Sequence, residues 1–317
     1  MNESITVKTP GRICILGDKV DLLGKPVIAM AIDLLMTINY KGREDSTIEY
    51  YSHNTKERIS FKLGDSPPKD IDLNYWSVLY ERLKERISVG FNLIVDSKIP
   101  IGAGLSTSAA LSVGYLKALN EALDLGLSKL EIAELAYLGE NHDLGIQCGR
   151  MDQYSISHGG VTFIHTDENP RVEMLPIREL PIVVGDSMEE RKAASVLNRV
   201  KKQIREKDST TLDAFKVIEK GVYEGKKALL KGNYKKLGKM MNRQQEMEVV
   251  LKAETPKIMK MCEAAKDAGA LGAKQMGAGG GGCMLAIAPN KESLGEIAKN
   301  IEKAGGKSWI FNIFNYY

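Results

Sequence analysis

Cysteine is scarce. The chain carries four in 317 residues, Cys14, Cys148, Cys262 and Cys283, and none stands at a metal-ligand or redox spacing from another. That argues against a cysteine metal centre and predicts reduced thiols in a cytosolic protein. An excess of either charge is missing as well: 44 Lys and Arg against 41 Asp and Glu leave a formal charge of +3. So small a surplus does not argue for nucleic acid, although a local basic pocket for an acidic metabolite stays open. No apolar run approaches the ~20 residues of a membrane span. The opening "MNESITVKTP" lacks the charged-then-apolar order of a secretory signal. The expectation is a soluble, cytoplasmic protein with no nucleic-acid or membrane partner. Internal repeats, coiled-coil heptads and low-complexity tails are absent too, and so is the Walker A pattern GxxxxGK[ST].

What is present is ordinary globular composition, 43% apolar and 27% charged. The length suffices for one large domain or for two that share a cleft. The first hundred residues alternate apolar and polar positions in "ITVKTPGRICILG", "LLMTINYKG", "STIEYYSH" and "RISFKLG", which predicts strands. "WSVLYERLKERIS" interrupts them with a helical period, and "GFNLIVDSKIP" is a strand ending at Pro100. Helices follow in "LSTSAALSVGYLKALNEAL" and "SKLEIAELAYLGENHDL", the second opened by a capping box of Ser128 and Glu131. "HGGVTFIHTD", "VEMLPI" and "LPIVVGD" return to strand. Helices are expected over 188–206, 210–231, 233–251, 254–268 and 291–304, with a last strand in "SWIFNIF". Polar, turn-rich "TDENPR" marks a domain boundary, drawn between residues 175 and 176. The class is α+β with two lobes.

One stretch asks for a ligand. "PIGAGLSTSAALSVG", residues 100–114, places Gly102 and Gly104, then Ser106, Thr107 and Ser108, ahead of a helix-forming run. A helix N-terminus has unpaired N–H groups and partial positive charge. Glycines let the main chain approach an anion closely, and hydroxyls bind phosphate oxygens or a metal.

"PIGAGLSTSAAL" resembles the second motif of the GHMP kinases, the family of galactokinase, homoserine kinase, mevalonate kinase and phosphomevalonate kinase. "TPGRICILGDKVDLLGKPVIAMAI", residues 9–32, resembles their first motif, and "GAKQMGAGGGGCMLAIAP", residues 272–289, their third. "ENHDLGIQCGRMDQYSISHGG" resembles the galactokinase stretch around its catalytic aspartate. The likeness runs from about residue 7 to residue 289. It implies a ribosomal-S5-like N-terminal lobe, residues 1–175, and a ferredoxin-like C-terminal lobe, residues 176–317. It also implies ATP and Mg²⁺, and phosphoryl transfer to the hydroxyl of a small molecule. Monomer and homodimer are both open.

The resemblance carries roles to particular residues. The backbone of Gly102, Ala103, Gly104, Leu105, Ser106, Thr107 and Ser108 would bind phosphate. Ser108 and Glu140 would hold the metal; read by itself, Glu140 is a solvated acid at a helix end. Asp152, in "CGRMDQ", would act as general base or orient the acceptor hydroxyl. Arg12, in "PGR", matches the family's basic partner, with a structural ion pair to Asp152 as the alternative. Gly277, Gly279 and Gly280 would close over the site and buttress the phosphate loop. A dinucleotide-binding reading of those glycines requires the order strand, loop, helix, and the order expected here is helix, loop, strand.

The acceptor is read from "GDKVDL". Where galactokinases carry "GEHTDY", this chain has Asp18, Lys19, Val20, Asp21 and Leu22. Sugar hydroxyls need many hydrogen-bonding groups, and three of these positions have become a cation and two hydrophobes. The trade fits a small acidic alcohol, with Lys19 on its anion. Mevalonate, or a phosphomevalonate such as mevalonate 3-phosphate taken at its 5-hydroxyl in isoprenoid synthesis, has that character. Arg191 and Lys192 are further candidates for an acidic substrate; Asn198 and Arg199 read as a solvated helix face, and His142 and His158 as packing or surface residues. A galactokinase-like sugar kinase is the alternative, and a non-catalytic ligand sensor the lesser one.

Overall fold

A computed structural model describes residues 4–68, 73–190 and 192–316. They form two units, neither continuous in sequence. One holds the chain up to Gly11, Leu34–Pro100 and Ser106–His158; the other holds Arg12–Asp33, Ile101–Leu105 and the chain from Gly159 onward. The division differs from a single break at residues 175/176. Two long strands, β1 (Ser4–Leu16) and β2 (Val27–Gly42), each have one end in either unit, and the glycine loop returns residues 101–105 to the second.

The first unit continues with β3 (Thr47–Ser52), β4 (Arg58–Lys62), α1 (Asn74–Leu83), β5 (Phe91–Ser97), α2 (Thr107–Ala122), α3 (Lys129–Leu138) and α4 (Met151–His158). Its strands lie in the order β4-β3-β5-β2, with β3 parallel to β5 and the other pairs antiparallel. Every second residue of β3 and β5 faces inward, so Ile48, Tyr50, Phe91, Leu93 and Val95 are buried on one face. Helix α2 covers that face. Tyr50 and Tyr115 share a 3.0 Å hydrogen bond between hydroxyls, and Trp76 Nε1 donates to the Leu111 carbonyl at 3.1 Å. These partners let three large amphipathic rings be buried without orphaned polar atoms. Gly114 permits the close approach: a Cβ there would stand 2.4 Å from Ile38 Cδ1 and 3.2 Å from Thr9 Oγ1. The capping box of α3 forms as expected, Ser128 Oγ accepting from Glu131 N and Glu131 accepting from Ser128 N. Beyond α3 the chain widens into one π-turn, Gly139–Asp143, a rare geometry that tends to occur at functional sites.

The second unit adds β6 (Val161–His165), β7 (Arg171–Leu175), β8 (Ile182–Asp186), α5 (Ala193–Arg205), α6 (Ser209–Leu230), α7 (Tyr234–Val250), α8 (Pro256–Asp267), β9 (Gly272–Gln275), β10 (Cys283–Ile287), α9 (Leu294–Lys303) and β11 (Lys307–Trp309). The first half of β2 pairs with β6, and β6 with β7. A separate antiparallel sheet runs β11-β8-β10-β9. Val183, Met284 and Ala286 of that sheet share an apolar cluster with Ile258 and Met261 of α8 and Ile297 and Ile301 of α9. Three helices start on side-chain caps, Asp208 on Thr211 N, Asn233 on Lys236 N and Thr255 on Ile258 N, close to where the sequence placed them.

Edge strand β9 is closed by α7. Asn242 Oδ1 accepts from Ala273 N at 3.0 Å and Gln245 Oε1 from Gln275 N at 2.7 Å. Side chains three apart on one helix face thus satisfy alternate amides of this buried edge strand. Three expectations need correction. The helix expected over 188–206 begins only at Ala193, and α4 appears where no separate helix was expected. The glycine run follows β9, not a helix, so the order is strand, loop, strand; no helix follows the loop, and the dinucleotide reading still fails.

Candidate active site

In the first unit the loop delivers Ser106 as the N-cap of α2, in the left-handed region at φ 64°. Its hydroxyl does not cap the helix. It donates to the Asp152 carboxylate, which sits in the first turn of α4. A non-glycine residue in that conformation is costly and persists only where its surroundings over-determine it. Thr107 Oγ1 donates to the Pro100 carbonyl at 3.1 Å and draws the neck of the loop together. One residue on, Ser108 Oγ donates to Glu140 Oε1 at 3.1 Å, and Gln153 Nε2 donates to Glu140 Oε2 at 2.7 Å. Glu140 lies in the π-turn and is 6% exposed, so it is no solvated helix-end acid. Burial and the Glu140 carboxylate push the Tyr75 phenol up to about 12.

Helix α4 is held by a network around Glu134. Arg150 donates to it through Nε and Nη2, both at 2.9 Å, and Tyr154 donates through its hydroxyl. Burial alone would raise the Glu134 pKa, but these donors outweigh it and keep the carboxyl below its usual range. The network fixes the start of α4 and with it the direction of Asp152.

The residues present suit the expected magnesium. A carboxylate and a hydroxyl are hard oxygen donors, and Mg²⁺ takes few protein ligands beside phosphate oxygens. Gln153 Oε1, on the amide that touches Glu140, is buried without a partner.

The second unit holds residues 101–105, whose glycines have positive φ, 81° at Gly102 and 86° at Gly104. Arg12, 6% exposed, ties them down: its N–H donates to Leu105 O at 3.1 Å and its Nη1 to Gly104 O at 2.7 Å. Cys283 Sγ donates to Ala103 O at 3.0 Å. Three successive carbonyls are thereby occupied. Positive-φ glycines at alternate positions let backbone N–H groups approach an anion closely.

The "GDKVDL" segment lies in the same unit. Asp18, Lys19 and Val20 are buried, and Asp21 and Leu22 are half-buried. Lys19, itself left-handed at φ 69°, pairs with Glu248 at 2.6 Å and donates to Gly277 O at 2.9 Å. Asp18 accepts from Lys274 and from Gly277 N, and from Gln244 Nε2 at 2.7 Å, while Gln244 Oε1 accepts from Gly17 N at 2.9 Å. Burial would raise the Asp18 pKa, but Lys274, Lys19 and the Gly277 amide hold it below the ordinary value. Burial and the Asp18 charge push Glu248 up despite its ion pair.

The structure thus groups Ser106, Ser108, Glu140 and Asp152 on one unit, and Arg12, Asp18, Lys19, Gly102–Leu105 and Gly277 on the other. Val20 belongs to the core. Lys192 is exposed at the N-cap of α5, its N–H donating to Gly280 O at 2.8 Å. Arg191 lies outside the described residues. Four functional neighbours went unread: Gln153, Gln244, Glu248 and Lys274. The last had a signal, a lysine inside the otherwise uncharged strand "GAKQ". Gln244 and Glu248 stand four apart, on one face of α7.

Comparison with known proteins agrees with these motifs. The N-terminal GHMP kinase domain matches residues 74–160 and the C-terminal GHMP kinase domain residues 226–307. The mevalonate kinase of Pyrococcus furiosus is 32% identical over 98% of this chain and 96% of its own length. Among solved structures, the mevalonate kinase of Methanococcus jannaschii superposes with a TM-score of 0.83 at 25% identity, covering 99% of both chains. Lactococcus lactis galactokinase in complex with galactose gives 0.88 at 22% identity, covering 99% of this chain and 94% of its own, which speaks to fold alone. The chain belongs to the GHMP kinase family and is an ATP-dependent phosphotransferase acting on the hydroxyl of a small molecule.

Proposed function

We propose that the acceptor is a small acidic alcohol: mevalonate, or a phosphomevalonate such as mevalonate 3-phosphate taken at its 5-hydroxyl, in isoprenoid synthesis. The observation that carries this reading is the state of residues 18–22. Asp18 and Lys19 are spent inside the second unit, Val20 is core, and Asp21 is the only polar side chain of the five to reach the surface. Four of the five therefore offer a sugar no free hydrogen-bonding group, and each sugar hydroxyl left unpaired costs roughly 1–3 kcal/mol. The end-to-end likeness to a protein named mevalonate kinase supports the same class. Lys19 is the wrong cation to meet the acid. Lys192 is exposed beside the glycine hairpin, with no ion-pair partner among the described residues, and takes that role.

In this reading the main chain of Gly102–Ser108 binds the nucleotide phosphates at the start of α2, and Gly277, Gly279 and Gly280 lie along them without side chains to obstruct. Ser108 and Glu140 hold magnesium, which when bound offsets charge on the phosphate oxygens. Asp152, steered by Ser106, receives the acceptor's proton or orients its hydroxyl. Arg12 keeps the loop carbonyls turned to itself and lends positive charge to the transferring group. A sugar kinase of the galactokinase kind is the second reading, favoured by the retained and partly exposed Asp21.

ADP release, measured with mevalonate, mevalonate 3-phosphate, mevalonate 5-phosphate, galactose and homoserine in turn, tests the proposal. Turnover on one of the three acids and loss of it in Asp152→Asn is the expected result. Turnover confined to galactose ends the acidic-alcohol reading, and binding without turnover of any acceptor points to a ligand sensor.

A further inference from the structure

Lys19 and Asp18 are consecutive, buried and oppositely charged, and both end on one residue 258 positions from Lys19. Asp18 accepts the N–H of Gly277 and Lys19 donates to its C=O at 2.9 Å. Both main-chain polar groups of a single glycine are therefore gripped by neighbouring side chains. Gly277 has φ 73°, so a side chain there is strained, and no other residue type takes its place at low cost. Each gripping group has its own support. Glu248 holds Lys19, while Lys274 and Gln244 hold Asp18; Lys274 also donates to Gln275 O at 3.0 Å, at the end of β9. The left-handed backbone of Lys19 is the cost of bringing two adjacent side chains to the same glycine.

Gly277 is where the glycine hairpin leaves β9. The hairpin is held again at Gly280, whose N–H donates to Ala253 O at 2.7 Å, and at Gly282, whose carbonyl accepts from Ser187 N at 2.9 Å. The following residue, Cys283, reaches the Ala103 carbonyl of the phosphate loop. A stretch with five glycines of positive φ, at 277, 279, 280, 281 and 282, has no stiffness of its own. Its shape comes from what anchors its ends.

We infer that Asp18 and Lys19 are positioning residues, a two-sided clamp on Gly277 that sets the glycine hairpin against the phosphate loop, and that they do not read the acceptor. The sequence alone points both residues at the substrate; their partners in the fold turn them to Gly277. In this chain both side chains turn inward, and Glu248 on α7 supplies the buried counter-charge that a lysine there requires. The inference rests on the proposed reading of the hairpin as part of the nucleotide site.

Three variants separate the possibilities: Lys19→Met, Glu248→Leu and the double substitution. Hydrogen exchange of the peptide spanning 276–283 reads the clamp without an acceptor or a nucleotide. Exchange should quicken by about tenfold in Lys19→Met, and also in Glu248→Leu, whose lysine is no longer held. The double variant strands no buried charge, so its thermal midpoint should return to within a few degrees of wild type. Its hairpin should still exchange fast, because the bond to Gly277 O stays missing. With whichever acceptor the panel identifies, kcat/KM for ATP should fall about tenfold in all three, with acceptor KM moving less than about twofold. A tenfold rise in acceptor KM in Lys19→Met, with Glu248→Leu silent, overturns the clamp in favour of acceptor recognition. Unchanged exchange in both single variants overturns it outright. Full recovery of activity in the double variant reduces the pair to a structural role. If no acid is turned over, the acceptor proposal fails while the exchange measurement still judges the clamp.

Discussion

Gly238 and Gly221 allow one substitution to be predicted with opposite signs. Both lie within helices, α7 and α6, and neither has positive φ. Alanine in a helix interior is worth roughly 0.8–1.0 kcal/mol over glycine. At Gly221 nothing lies within 4 Å of an added Cβ, so the gain should appear undiminished. At Gly238 the same atom would stand 2.4 Å from Leu271 O and 2.9 Å from Gly272 N, backbone atoms that cannot rotate away. Reaching an ordinary contact of 3.4 Å requires α7 and β9 to separate by about 1.0 Å. That displacement would carry the Asn242 and Gln245 bonds to β9, now 3.0 and 2.7 Å, beyond useful length. Two amides left unpaired cost roughly 1–3 kcal/mol each. After the helical gain, Gly238→Ala should destabilise by roughly 1–5 kcal/mol, whereas Gly221→Ala should stabilise by up to about 1 kcal/mol. Urea unfolding reads both as midpoint shifts at unchanged slope. A midpoint for Gly238→Ala at or above wild type would refute the claim that backbone contact, not helix propensity, decides this position.

Three further expectations concern charge and the loops. Burial and the Lys129 cation push Lys117 down to about 7. The unfolded chain, with a lysine near 10.4, binds the extra proton between those values, so stability should rise from pH 7 toward pH 10. Lys117→Met should flatten that rise; an equal wild-type-to-variant difference at pH 6 and pH 9 would speak against it. Glu140→Gln keeps the shape but removes the carboxylate facing Ser108, and should raise the magnesium concentration for half-maximal rate by about tenfold. An unchanged magnesium dependence would remove Glu140 from the metal site. Gly279→Ala combines φ 91° with a Cβ 2.3 Å from Ala253 O. Its kcat/KM for ATP should fall more than about tenfold, and a change within twofold would show that the hairpin need not hold its shape.

Much of the framework was legible because its signals are local. Period-two burial in β3 and β5 follows from side chains alternating across a pleat, and it shows in the letters themselves. The capping box at Ser128 is a three-residue pattern and forms as written. Helix α4 escaped because "MDQYSISH" spans barely two turns, with no apolar stripe to mark it. Strand β9 escaped because four residues, one of them lysine, are too few to show alternation.

The succession of strands and helices, the glycine turns, and the hydroxyls and carboxylates at loop ends and helix starts all follow from short stretches of letters. Backbone geometry and propensity act over a few residues, so those features need no distant partner. Which charges are spent and which remain depends on long-range packing. Lys19 read as a cation for a substrate until Glu248 and Gly277, more than two hundred residues away, were found to hold it. Glu140 is a metal ligand in the sequence only by resemblance, and a solvated acid when read by itself; burial against Ser108 and Gln153 comes from the tertiary structure. A side chain's chemistry depends on its solvation and its partners, and both are set by long-range packing.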